Sequence, residues 1–103
     1  MKRVIDEKTE IYYPSGWINL MLEAQFVLEA GMQDGLISGD LKITSVTEKD
    51  GMLTIEAVGG NDKSKEVINH IEQMSGAICQ LCGEYPAFKV ENRTLCDRCK
   101  DGE

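Results

Sequence analysis

The chain contains a single histidine, no run of about 18 apolar residues, and not one Lys or Arg between Thr9 and Leu41. Each absence removes a class of function. Without a long apolar run, no segment is expected to span a membrane. His70, the lone histidine, falls in the middle of a helical stretch, where a solvated or packed role is the ordinary one. No H-E-x-x-H, Ser/His/Asp set or phosphate-cradling glycine loop accompanies it, so the chain is expected not to be an enzyme. The segment without cations carries Glu10, Glu23, Glu29, Asp34 and Asp40, and it therefore repels a phosphate backbone. The charged start, Met1 to Lys8, is not followed by the apolar stretch of a signal peptide, which points to a cytoplasmic protein. No internal repeat or low-complexity segment is present.

What remains is small, acidic and rich in cysteine at one end. The 103 residues carry a formal charge of -7 and are 42% hydrophobic, enough for one compact core. All four cysteines lie in the last quarter, as Cys79-Gln80-Leu81-Cys82 and Cys96-Asp97-Arg98-Cys99. Two C-x-x-C pairs separated by thirteen residues have the spacing of a four-thiolate zinc site. Each pair makes a tight turn that aims two sulfurs at one point, and the intervening stretch suits a small hairpin. Four thiolates close the coordination shell of one Zn²⁺, so the metal is expected to be structural. Two disulfides in a secreted domain, or a thiol–disulfide redox pair, are the rival readings.

Periodicity suggests an α+β fold, with a small antiparallel sheet packed with two helices and a C-terminal zinc ribbon. Ile11-Tyr12-Tyr13 reads as a short edge strand or extended arm. Pro14-Ser15-Gly16 then opens a helix over about 16–30, with Ser15 as N-cap and Gly31 as the stop. Trp17, Leu20, Met21, Ala24, Val27 and Leu28 form its main stripe, and Ile18, Leu22 and Phe26 a second one. So wide an apolar surface implies a helix buried between sheet and ribbon, the alternative being an exposed face for a homodimer. A hairpin follows over about 41–58, turned by Asp50-Gly51, with Leu53, Ile55 and Ala57 on one face. Gly59-Gly60-Asn61-Asp62 caps a second helix over about 63–75, with Val67, Ile71 and Met74 inward and Glu72 facing water. That helix runs into Cys79 with no flexible linker. The body, 1–76, and the ribbon, 77–103, are therefore expected to dock. Within the ribbon, Gly83 supplies the positive φ after the first knuckle, Lys100 makes the second turn less ideal, and Phe88 and Leu95 form a miniature core.

Gly16-Trp17, Glu48-Lys49-Asp50-Gly51-Met52-Leu53, Cys79-Gln80-Leu81-Cys82-Gly83 and Thr94-Leu95-Cys96-Asp97 occur in that order. In this the chain resembles a family of small phage and prophage proteins with a Gly-Trp near the start, an E-K-x-G-x-L segment and a terminal ribbon bearing T-L-C-D. It differs at Glu91-Asn92-Arg93, where the family has an aromatic position and often a second Gly-Trp. The resemblance implies a mobile-element origin and an α+β body with a zinc ribbon, and it implies no activity.

The function expected from these features is binding to a host protein and modulating it, most simply by inhibition. A defence nuclease complex, a transcription factor or a replication factor would suit such a role. The candidate partner surface comprises Glu10, Trp17, Glu23, Glu29, Asp34 and Asp40. The alternative is a nucleic-acid-binding regulator that uses Lys89, Arg93, Arg98 and Lys100, with Tyr85 and Phe88 as stacking residues.

Overall fold

The Asp50-Gly51 pair fixes the centre of the body. In a computed structural model that describes Val4, Ile5 and residues 8–101, Asp50 and Gly51 sit at φ 53° and 84°. Two consecutive left-handed residues make the tight turn whose twist matches that of its strands. It joins β2 (Lys42–Lys49) to β3 (Met52–Val58) as an antiparallel hairpin with Lys49 opposite Met52. The register shifts between Ile43 and Ser45, a β-bulge at Thr44. Strict alternation would put Ile43 and Val46 on opposite faces. The extra residue turns both into the core, where they are 1% and 0% exposed. Ala57, expected beside Leu53 and Ile55 in the core, stays exposed near the end of its strand.

A third strand, β1 (Glu10–Tyr12), completes the sheet in the order β1-β2-β3. It lies parallel to β2, so the sheet is mixed and not antiparallel throughout. The cause is the connection: a helix runs between the two strands, and such a crossover returns the chain in the same direction.

That helix, α1 (Ile18–Gln33), follows a 3-10 turn at Ser15–Trp17. Ser15 makes no side-chain cap. Gly31 does not stop the helix either. The N–H of Gly35 donates to Met32 O and that of Leu36 to Gly31 O, with Gly35 at φ 82°. This paired closure ends the helix at the later glycine. Gly31 serves packing instead, because a β-carbon there would come within 2.6 Å of Ile37 Cδ1.

α2 (Asp62–Ser75) begins with a reciprocal cap. Asn61 Oδ1 accepts from Ser64 N–H, and Ser64 Oγ accepts from Asn61 N–H. Ile71 is buried on its inner face, with Val67, Ile68 and Met74 half-buried beside it. α1 and α2 pack on one another, and α2 lies along β3.

Only one side of α1 enters this core. Leu20, Met21, Ala24 and Leu28 are buried, whereas Ile18, Leu22, Phe26 and Val27 are 46%, 58%, 73% and 41% exposed. The expectation of a helix enclosed by sheet and ribbon is corrected here. The second stripe faces outward because the ribbon bonds to Gly16 and Trp17, in the turn ahead of α1.

Glu72 also departs from expectation. Instead of facing water, its Oε2 accepts the N–H of Ile55 at 2.8 Å, and Ser75 Oγ accepts that of Leu53 at 2.9 Å. Side chains of α2 thus satisfy outward amides of the edge strand β3, leaving less of that edge open to another strand. Replacing Glu72 with Ala strands the Ile55 amide and should cost about 1–3 kcal/mol of stability in urea unfolding. An unchanged midpoint would show that water replaces the carboxylate at no cost.

Candidate metal centre

The two knuckles are built differently. α2 winds down through Gly76, Ala77 and Ile78, whose N–H groups reach Gln73, Met74 and Ser75 carbonyls, and delivers Cys79 directly. Gly83 N–H then donates to Cys79 O at 2.9 Å, with Gly83 at φ 81°, as the sequence leads one to expect. In the second knuckle Lys100 N–H makes the matching bond to Cys96 O at 2.9 Å. There the chain continues as a short helix, α3 (Asp97–Asp101), so a lysine at this place is not at odds with the turn. Between the knuckles, β4 (Phe88–Val90) and β5 (Arg93–Leu95) pair antiparallel around Glu91 at φ 59°.

This framework brings the sulfurs of Cys79, Cys82, Cys96 and Cys99 within 4.8 Å of one another. Cys82 Sγ and Cys96 Sγ are 3.5 Å apart, and none of the four is in a disulfide. Four sulfurs about 2.3 Å from a shared ion would sit about 3.8 Å from each other, so the cluster has the size of a tetrahedral thiolate site. Cys79 is fully buried and Cys96 nearly so, Cys99 is half-buried, and Cys82 is exposed.

Cys79 and Cys99 titrate far apart. Burial pushes the Cys79 thiol up, but the backbone N–H groups of Cys96, Cys82 and Leu81, with the Cys99 thiol, outweigh it. The result is about 6 against an ordinary 9.0. Crowding by the sulfurs of Cys79 and Cys82 drives Cys99 up to about 12. Negative charge concentrated on Cys79 is what a dication would relieve, and a soft, four-thiolate donor set fits zinc.

The ribbon is clamped to the body by buried backbone contacts. Gly16 N–H donates to Gln80 O at 2.9 Å, and Trp17 Nε1–H to Ile78 O at 3.0 Å. A β-carbon at Gly16 would collide with the carbonyl groups of Cys79 and Gln80, and one at Gly83 would lie 3.1 Å from Gly16 O. Only paired glycines permit so close an approach. On the other side, Gln80 N–H donates to Thr94 O, Thr94 N–H to Gln80 Oε1, and Thr94 Oγ1 to Gly51 O. Gln80 and Thr94 are 7% and 1% exposed. Ala87 N–H bonds Ala77 O and closes the junction.

Trp17 therefore does not belong to a partner surface. It is completely buried, with its indole N–H used to hold the chain just ahead of Cys79. The acidic candidates are scattered. Glu10 is exposed on β1, Glu23 on α1 and Asp34 at the C-terminal cap of α1. Glu29 is half-buried and accepts from Val4 N–H and Gln25 Nε2–H, while Asp40 accepts from Gly60 N–H. Both of these carry structural duties.

Phe88 is a further correction. It is 57% exposed, and Ala87 with Leu95 packs against Cys79 and Cys96 instead. Sequence reasoning missed Gln80 and Thr94 as clamp residues. A polar residue inside a knuckle was the only hint available.

Compared with family models, curated proteins and solved structures, the chain matches none. Fold and site nonetheless define a class: a small α+β protein with a C-terminal four-cysteine cluster, consistent with a zinc ribbon, that can hold a metal ion.

Two outcomes are expected. Gly16→Ala should lower the thermal midpoint by several degrees and speed metal loss to a chelator, because the added methyl pushes the knuckle off the body. Protons and metal compete for the same sulfurs, so metal content after desalting should persist at pH 7. It should be lost only as the pH falls below about 6, the metal-free value of Cys79, because a bound dication holds the thiolates ionised against protons. Retention unchanged well below that point would argue against thiolate ligation.

Proposed function

We propose that the protein is a non-enzymatic, acidic zinc-ribbon module that binds a host protein and modulates it, most simply by inhibition. One structural Zn²⁺ on Cys79, Cys82, Cys96 and Cys99 serves as the folding staple. The phage or prophage setting implied by the family resemblance suits this role. Dependence on reduced thiolates suits a reducing, cytoplasmic compartment.

The observation that carries the reading is the outer face of α1. A helix that exposes Phe26 by 73% and Leu22 by 58% in one stripe presents more apolar surface than an isolated solvent-facing helix needs. The closed donor set supports a binding role over catalysis, because four thiolates leave no position for water or substrate. His70 stands exposed on α2.

A second reading, nucleic-acid binding by the ribbon, is favoured by one observation: Tyr85 and Phe88 are 75% and 57% exposed beside Lys89. The charge of -7 and the Arg98–Glu84 pair at 3.7 Å weigh against it.

The test is affinity capture from a host lysate with zinc-loaded protein, alongside Phe26→Asp and Leu22→Asp. A partner retained by the native chain and lost from both variants is the expected result. Equal capture by all three would move the surface elsewhere. Salt-sensitive micromolar binding of random DNA or RNA, with no protein retained, would favour the second reading instead.

A further inference from the structure

The exposed stripe of α1 does not stand alone. Between α1 and α2 runs a groove of about 370 Å³, with Val27 on one wall and Val67, Ile71 and Met74 on the other. Its rims carry Glu23 from α1 and Glu66 from α2. At about 100° per residue, Ile18, Leu22, Phe26 and Val27 sweep the half of α1 turned away from the core and lead into this groove. Apolar anchors at i, i+4 and i+8 beside a two-helix groove match the way an amphipathic helix is received.

Charge decides which helix fits. α1 contains no basic residue, and its last turn has none to offset the negative end of the helix dipole. Asp34 caps that same end. On the α2 rim, His70 also lines the groove, and Lys63 and Glu66 lie 3.9 Å apart and offset one another, so the unbalanced charge at the groove is Glu23 of α1. A second copy would bring two chains of net charge -7 together, with each Glu23 beside the shared apolar face. A cationic occupant meets neither obstacle.

We propose that the α1 face and the α1–α2 groove receive a cationic amphipathic helix of a partner protein. Its apolar side packs on Leu22, Phe26 and Val27, and its Lys or Arg flanks meet Glu23 and Asp34. The inference rests on the protein-binding reading above and adds the chemistry of the partner.

The test uses the zinc-loaded full chain and three synthetic peptides: an amphipathic Leu/Lys helix, a scrambled peptide of the same composition, and a Leu/Glu counterpart. Binding is read by fluorescence anisotropy and by amide chemical shifts. The Leu/Lys helix should bind at least about tenfold more tightly than the scrambled peptide, and the Leu/Glu peptide should not bind. Shifts should centre on Leu22, Phe26, Val27 and Val67. Phe26→Asp should weaken binding about tenfold or more while metal content and thermal midpoint stay unchanged, because its side chain is exposed.

Equal binding of the scrambled peptide, shifts confined to other elements, or indifference to Phe26→Asp would overturn the proposal. So would a dilution-sensitive dimer abolished by Phe26→Asp, which would assign the face to a second copy. If the peptides fail while lysate capture still yields a partner lost on Phe26→Asp, only the cationic-helix inference falls. Failure of both removes the protein-binding reading as well.

Discussion

The contact between Gly16 and the backbone of Cys79-Gln80 is the constraint on which the rest of the structure depends. A metal knuckle is a turn of exposed amides and carbonyls, and burying one side of it requires every group to find a partner. The body supplies them. Gly16 N–H and the Trp17 indole satisfy the carbonyls of Gln80 and Ile78, while Thr94 links Gln80 to Gly51 in the hairpin turn. Gly51 has two tasks at this point. It provides the positive φ of the hairpin, and its missing side chain makes room for Arg93 and Thr94, which a β-carbon there would meet at 3.0 Å. Knuckle, helix start and hairpin turn therefore form one cooperative unit.

This arrangement separates what the metal site does from what the surface offers. The ribbon bonds to the turn ahead of α1, and the outward half of that helix stays exposed. A metal on the four cysteines would hold the chain in a shape and take no part in the exposed face. If the staple opens, the contacts that orient the start of α1 open with it, so a loss of metal reaches the apolar stripe through Gly16 and Trp17. That coupling follows from shared hydrogen bonds and needs no separate signal path.

Local chemistry in the sequence was enough to read the hairpin, both helices and the cysteine cluster. Asp50-Gly51 fits one kind of turn, Asn61 within Gly59-Gly60-Asn61-Asp62 offers a cap, and paired C-x-x-C turns converge wherever a hairpin joins them. Features set by distant partners were not legible. The bulge at Thr44 depends on which face of β2 meets the core, so a simple alternation misplaces Val46. The parallel pairing of β1 comes from the path of α1, not from the three residues of the strand. Phe88 reads as core by residue type, but the phase of β4 gives the inward place to Ala87. Trp17 was expected in the main stripe of the helix and also on the partner surface, and its burial follows from a carbonyl at Ile78, far along the chain, that accepts its indole N–H. Glu72 was assigned to water by its charge, and a β3 amide claims it.

The central claim is that bound metal holds the ribbon against the body through Gly16 and Trp17. Trp17 is the only tryptophan and is completely buried, so its fluorescence reports that junction directly. The decisive measurement is its emission during titration with a chelator and on zinc return, with metal content followed in parallel. The account predicts a red shift that tracks metal loss and reverses when zinc is restored. An emission maximum that stays fixed after complete metal removal would contradict it.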